Sequence, residues 1–211
     1  MSNSMQHWNG HQLCAIDIEA TGEDPFFHEM IQIAILPLDS NIEIRGDVPP
    51  FYINIIPEHP ERANPQAMEV NRLKFAEIAK NGFDREKSKD ILIEWVDRMD
   101  LPFTKFGNRK KLIPLGQNLY YDIPFIKRWL GVSDYHEIFF PCPVDTMVVA
   151  SFKNDRAACH ADHVPYPKIN LSYLCNIEGI DRIRSHDALQ DCVATAALYR
   201  KMCYRGLTEL D

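Results

Sequence analysis

Residues 15–22 read AIDIEATG, which sets two acids, Asp17 and Glu19, inside an apolar run that reads as a buried strand. Side chains two apart on a strand point the same way, so the two carboxylates stand roughly 7 Å apart on one face, just before a turn at Thr21-Gly22. Unpaired, they would raise each other's pKa; a divalent cation held between hard oxygen ligands removes that cost. An isolated D-x-E is ordinarily a pair of solvated acids or is paired with Lys or Arg. Here it has company. Asp122 falls at a second strand-to-helix junction, and SHDALQD, residues 185–191, opens the last helix with His186 and Asp191. Elements that follow neighbouring strands can converge on one crevice beyond the strand ends.

The spacing of His186 and Asp191 adds a constraint. Five residues along an ideal helix turn through about 140°, so the two cannot face one site from mid-helix. With Asp187 as N-cap and Gln190 three residues on, as in a capping box, His186 precedes the helix and Asp191 lies in its first turns. That leaves an imidazole on a hinge beside a fixed carboxylate, an arrangement suited to a general base that must reach a water.

The elements that must position these residues alternate between strand and helix patterns, with no repeat or Gly/Ser linker, which predicts one α/β domain spanning residues 1–211 with its core over about 13–203. Residues 13–19, 30–38 and 51–56 read as strands. Residues 88–99 put Ile91, Leu92, Trp95, Val96 and Met99 on one helical stripe, with Ser88 as N-cap. LIPLG, residues 112–116, reads as a strand whose Pro114 belongs at an edge or bulge. A helix follows over 122–131, capped by Asp122 and ended by Gly131. A last strand over 138–146 leads to a short helix, and further helices cover 170–176 and 187–203.

The 211 residues carry a formal net charge of −7, and this argues against holding nucleic acid through global charge. No apolar run reaches the ~18 residues of a membrane helix, and the polar start lacks a signal-peptide core, so a cytoplasmic protein with no membrane partner is expected. The six cysteines lie mostly singly in apolar segments and read as reduced core thiols rather than a disulfide framework.

DIEATG, GQNLYYD and HDALQD, in this order, resemble the three motifs of the DEDDh family of 3′–5′ exonucleases. Four acids, one histidine, an Asn four before the third acid and a Thr-Gly after the second fall at the family's spacing. VDT at 144–146 and DCVATAALY at 191–199 are similar to further family features. The resemblance implies an RNase H-like α/β fold: a mixed five-stranded sheet, its second strand antiparallel, flanked by helices. It implies that Asp17, Glu19, Asp122 and Asp191 hold two Mg²⁺ or Mn²⁺ ions, with Asp17 bridging both, and that His186 deprotonates the attacking water. Two such ions would clamp the scissile phosphate and stabilise the leaving 3′ oxygen. The product would be a nucleoside 5′-monophosphate. The ions also bring +4 to the site, taking the chain from −7 to −3.

The implied partner is the 3′ end of single-stranded DNA or RNA, bound by stacking and backbone contacts. Ile18, Ala20, Thr21 and Gly22 would meet the terminal nucleotide, Thr21 and Gly22 through their amides. Asn118 lies near the same site, and Phe26, Phe27 or Phe125 would supply stacking faces, although Phe125 falls with Ile126, Trp129 and Leu130 on the inward side of its helix and reads at least as well as core. Basic candidates for a phosphate track are Arg109–Lys110–Lys111 and Lys153, Arg156 and Lys168. The motifs carry no signal for a polymerase or homodimer partner. Two rival readings stand beside the exonuclease: a catalytically silent binding module on the same fold, and a zinc-dependent hydrolase built on Cys159, His160, Asp162 and His163.

Overall fold

The computed structural model describes residues 10–182 and 186–204; the polar start over residues 1–9 lies outside them. The strands are β1 (Gln12–Ala20), β2 (Met30–Pro37), β3 (Phe51–Asn54), β4 (Leu112–Gly116) and β5 (Val144–Asp145). They form one mixed sheet in the order β3-β2-β1-β4-β5. β2 runs antiparallel to both its neighbours, whereas β4 is parallel to β1 and to β5. This is the expected five-stranded sheet with its second strand reversed.

Among the described residues eight α-helices surround it: α1 (Pro65–Asn71), α2 (Phe75–Asn81), α3 (Arg85–Arg98), α4 (Leu119–Leu130), α5 (Val132–Ile138), α6 (Thr146–Cys159), α7 (Leu171–Ile177) and α8 (Ala188–Tyr204). The period of two in β1 sorts the core. Cys14, Ile16 and Ile18 pack with Leu92, Trp95 and Val96 of α3 and Phe125, Ile126 and Trp129 of α4. Leu13 and Ala15 pack on the opposite face, with Ala188, Cys192 and Ala196 of α8. Asp17 and Glu19 continue that second row, so they share the face covered by α8.

Several local expectations need correcting. Asp84, not Ser88, caps α3, accepting the Lys87 amide at 2.9 Å. Ser88 is buried one turn in, where its hydroxyl accepts the Trp129 indole N–H. α4 begins at Leu119, so Asp122 lies in its first turn rather than at its cap. Pro114 sits on an interior strand and not at an edge; β5 pairs only with Leu115 and Gly116, which leaves Pro114 outside that ladder. The last strand shrinks to two residues: α5 runs to Ile138, Phe139 makes only an isolated bridge to Leu112, and Pro141 and Pro143, which have no N–H to give a ladder, precede Val144; α6 runs for 14 residues where a short helix was expected. Of the cysteines, Cys14, Cys175 and Cys192 are buried, but Cys142, Cys159 and Cys203 are exposed thiols. Among the described residues no helix is long and apolar enough to cross a membrane.

Candidate active site

β1 outruns its parallel partner. β4 pairs with Gln12–Ala15 and stops at Gly116, which leaves the carboxyl end of β1, from Ile16 on, without a strand on that side. The start of α4 fills this place: Asp122 Oδ1 accepts the Ile18 amide at 3.2 Å, between the two acids of β1. A backbone N–H that would otherwise lack a ladder partner thus fixes the third acid beside the first two.

The turn before α4 is fastened from below by β5. Asp145 accepts the amides of Asn118 (3.1 Å) and Leu119 (2.8 Å), and Thr146 Oγ1 donates to the Gly116 carbonyl at 3.1 Å. Asn118 holds a left-handed conformation, φ 67°, which short polar side chains tolerate. The Val-Asp-Thr motif therefore anchors the strand-to-helix turn that carries Asn118 and Asp122.

α8 brings the remaining two residues. Asp187 caps it, accepting the Gln190 amide at 3.1 Å, and also accepts the Tyr52 hydroxyl at 3.1 Å. The buried Gln32 of β2 accepts the Ala188 amide at 3.1 Å. With its first turn tied to β2 and β3, α8 presents Asp191 to β1. His186 lies outside the helix as the spacing requires, exposed, at φ 64°, and its amide donates to Asp191 Oδ2 at 3.2 Å. Ligand atoms of Glu19, His186 and Asp191 all lie within 4.8 Å of one another.

Asp17, Glu19, Asp122, His186 and Asp191 line one open cleft of about 480 Å³. Burial, reinforced by the Asp122, Glu19 and Asp191 charges, holds the Asp17 carboxyl well above its ordinary range, with Arg182 pulling the other way. Burial and then the Asp191, Asp122 and Asp187 charges push Glu19 up to about 8. Asp122, pushed up to about 8 by burial, is pulled back by the Ile18 amide. Among the described residues the ion pair made by these four acids is with Arg182, which binds Asp191. Four carboxylates facing one guanidinium, with Asp17, Glu19 and Asp122 driven toward protonation, are a donor set that a hard divalent cation fits.

The cleft also contains Ile18, Ala20, Gly22 and Asn118. The other two expected nucleotide contacts are corrected. Phe125 is 2% exposed, packed in the core against Tyr121 with ring centroids 5.1 Å apart, and offers no face to a base. Thr21 is wholly buried and its amide is already given to the Glu29 carbonyl at 2.8 Å. Gly22 meets a different demand: a Cβ there would lie 2.3 Å from the His28 ring. Phe26 and Phe27 are exposed, and the Arg62 guanidinium lies 5.5 Å from the Phe27 ring centroid. Of the basic residues proposed for a phosphate track, Arg109 pairs with Asp97 and Lys111 donates to the His136 carbonyl. Among the described residues, Cys159, His160, Asp162 and His163 do not assemble into a metal-ligating group.

One wall of the cleft has no counterpart in the sequence reading. α1 and its N-cap contribute Asn64, Gln66, Val70 and Asn71, and are fastened to the end of β1 by Asn71 Nδ2 on the Ala20 carbonyl (3.1 Å) and the Asn64 amide on the Thr21 carbonyl (2.7 Å). Its signal was present: Asn64 followed by Pro65 is an N-cap with proline at the first helical position. Arg182 had no such signal.

Neither a protein-family model nor the sequence of a curated protein matches the chain. Its architecture is similar to that of solved nucleases. The zinc-ion-bound complex of Escherichia coli exonuclease I with single-stranded DNA is 15% identical, with a TM-score of 0.70 over 94% of this chain and 42% of that one. Exonuclease I of Methylocaldum szegediense is 18% identical, with a TM-score of 0.67 over 92% of this chain and 41% of that one. Cell-death related nuclease 4 is 16% identical, with a TM-score of 0.66 over 92% and 64%. The chain thus spans about two-fifths of the length of the exonuclease I structures it matches. With its sheet order, single reversed strand and these likenesses, the chain has the expected RNase H-like fold, shared with exonuclease I and cell-death related nuclease 4.

Proposed function

We propose that the chain is a metal-dependent 3′–5′ exonuclease that hydrolyses the terminal phosphodiester of single-stranded DNA or RNA. One observation carries the reading: four carboxylates and an imidazole, brought from β1, α4 and the start of α8, line a single open cleft in a fold shared with exonucleases. In this reading Asp17, Glu19, Asp122 and Asp191 hold two Mg²⁺ or Mn²⁺ ions. Bound there, such ions lower the pKa of a water and stabilise charge on the leaving oxygen.

The chain's own residues do the rest. His186 takes the proton of the attacking water. The new P–O bond forms as the bond to the 3′ oxygen breaks, releasing a nucleoside 5′-monophosphate. Ile18, Ala20 and Gly22 border the terminal nucleotide on the β1 side and Asn118 on the α4 side. The exonuclease I neighbours were solved with dA16 and dT13 oligonucleotides, which favours a single strand as the ligand.

The experiment is to incubate the chain with Mn²⁺ or Mg²⁺ and an unstructured oligonucleotide labelled at its 5′ end. The label should appear on a ladder shortened from the 3′ end, EDTA should stop it, and Asp17→Asn should abolish it. Oligonucleotide binding without shortening would leave a silent binding module on this fold. Full activity in Asp17→Asn, or activity with zinc alone, would remove the reading.

A further inference from the structure

Both oxygens of Asp191 are taken. Oδ1 accepts an N–H from the Arg182 guanidinium, and Oδ2 accepts the His186 amide at 3.2 Å. The side chains of Arg182 and Asp191 are 13% and 10% exposed, so the pair is largely withdrawn from water. A second guanidinium nitrogen donates to Ser172 Oγ at 2.6 Å, while Arg182 Nε is buried with no hydrogen-bond partner.

An arginine held this way is poorly satisfied. Its planar fork suits two-pronged binding of a carboxylate, yet here one prong meets a carboxylate, another a neutral hydroxyl, and Nε nothing. What favours the placement is charge: Arg182 is the cation set against Asp191 and, through space, lowers Asp17. The residue stands in the connection between α7 and α8 rather than on a helix. Moving its side chain therefore requires no helix to shift. Meanwhile the ligand atoms of Glu19, His186 and Asp191 are already within 4.8 Å of one another.

We propose that Arg182 is the built-in counter-cation of the metal-free site, and that it leaves Asp191 Oδ1 when a divalent ion takes that oxygen. Arg182 then sets the metal affinity by competition, and Ser172 sets how firmly it competes. The inference rests on the metal-dependent reading above. It also explains how four acids stay grouped before an ion arrives: the guanidinium offsets part of their repulsion and then yields to a dication with twice its charge.

The test is calorimetric titration of Mn²⁺ into the chelator-stripped chain without nucleic acid, comparing wild type, Arg182→Met, Ser172→Ala and Asp17→Asn. Competition predicts that Arg182→Met binds Mn²⁺ roughly tenfold more tightly or better, as expected when a unit positive charge in contact with a ligand is removed. Ser172→Ala should shift the affinity in the same direction by less. That variant keeps the arginine's charge and loosens only its anchor, so tighter binding there separates competition from charge loss, and it carries the test should Arg182→Met not fold. Melting of metal-free Arg182→Met should also come at lower temperature than wild type, with a larger rise on adding Mn²⁺.

Unchanged or weaker Mn²⁺ binding in both variants overturns the proposal and makes Arg182 an orienting partner that stays on Asp191 in the loaded site. The two readings fail separately. Wild type that binds no Mn²⁺, or Asp17→Asn that binds it equally well, removes the metal-dependent reading and this inference together. Binding that depends on Asp17 but is indifferent to Arg182 and Ser172 removes this inference alone.

Discussion

The carboxylate of Asp122 and the backbone amide of Ile18, separated by 104 residues in the chain, lie 3.2 Å apart where β1 has lost its neighbour β4. One oxygen thus completes a strand's hydrogen bonding while its carboxylate joins Asp17 and Glu19 at the cleft. The two duties are separable by substitution. Asn keeps an acceptor at Oδ1 and removes the charge, so Asp122→Asn retains the Ile18 contact and loses the buried carboxylate. We expect the metal-free variant to melt a few °C higher than wild type above pH 8, on a scale of about 2–4 °C per kcal/mol at this chain length. Its exonuclease activity and Mn²⁺-induced stabilisation should both disappear. A melting temperature below wild type under those conditions would mean that the charged form is itself structurally required.

The raised carboxyls give the metal-free protein a pH dependence with a definite sign. Glu19 and Asp122 are pushed up to about 8, against ordinary values of 4.5 and 3.8. Between those values the folded state holds protons that the unfolded chain has released, so stability falls as pH rises. The contribution is complete below about pH 4 and is lost as pH passes about 8. Thermal melts in EDTA from pH 5.5 to 9 should therefore show a falling melting temperature, with a shallower slope in Asp122→Asn. Saturating Mn²⁺ should lift the alkaline end most, because ion binding requires deprotonated ligands. Parallel slopes in wild type and Asp122→Asn would contradict the assignment.

Much of the site was legible because it depends on short-range periodicity. Alternation in β1 puts Asp17 and Glu19 on one face whatever surrounds them, and the capping pattern at Asp187 forces His186 out of the helix. Less legible were features fixed by partners distant in sequence. Phe125 reads both as core and as a stacking face; only the packing of α4 on the sheet decides that the ring meets the core while Asp122, in the same helix, meets the cleft. Thr21 reads as a turn residue, yet the Glu29 and Asn64 backbones saturate it from two other segments. Arg182 is a lone arginine in a connection, and its partner Asp191 becomes apparent only when α7 and α8 are in place. The α1 wall was a different case: its Asn64-Pro65 cap is local, but seven residues carry too little periodicity to declare a helix.

The burial of Phe125 separates a packing role from a stacking role. Truncating a buried Phe removes apolar contacts and leaves a cavity, at a cost of about 3–5 kcal/mol. Phe125→Ala should show that loss in denaturant unfolding, while Phe125→Leu, which fills much of the space, should lose less. Neither change removes a surface that faces the cleft. At a temperature where Phe125→Leu is folded, its affinity for a single-stranded oligonucleotide should match wild type. Normal stability combined with a severalfold loss of oligonucleotide affinity would return the ring to the binding surface.

His186 is where geometry permits two chemical roles, and one substitution distinguishes them. Its backbone is held at φ 64° and tied to Asp191 Oδ2, so the imidazole hangs from a fixed hinge at the open side of the cleft. A ring nitrogen also stands within 4.8 Å of a carboxylate oxygen of Glu19 and of Asp191, close enough for one cation to be shared among them. A general base contributes about 10²–10⁴-fold to rate. His186→Ala should therefore slow shortening of a labelled oligonucleotide by that factor while Mn²⁺ titration of the free protein remains close to wild type. A large loss of Mn²⁺ affinity in His186→Ala would instead make the imidazole a fifth ligand and leave the proton to be taken by another group.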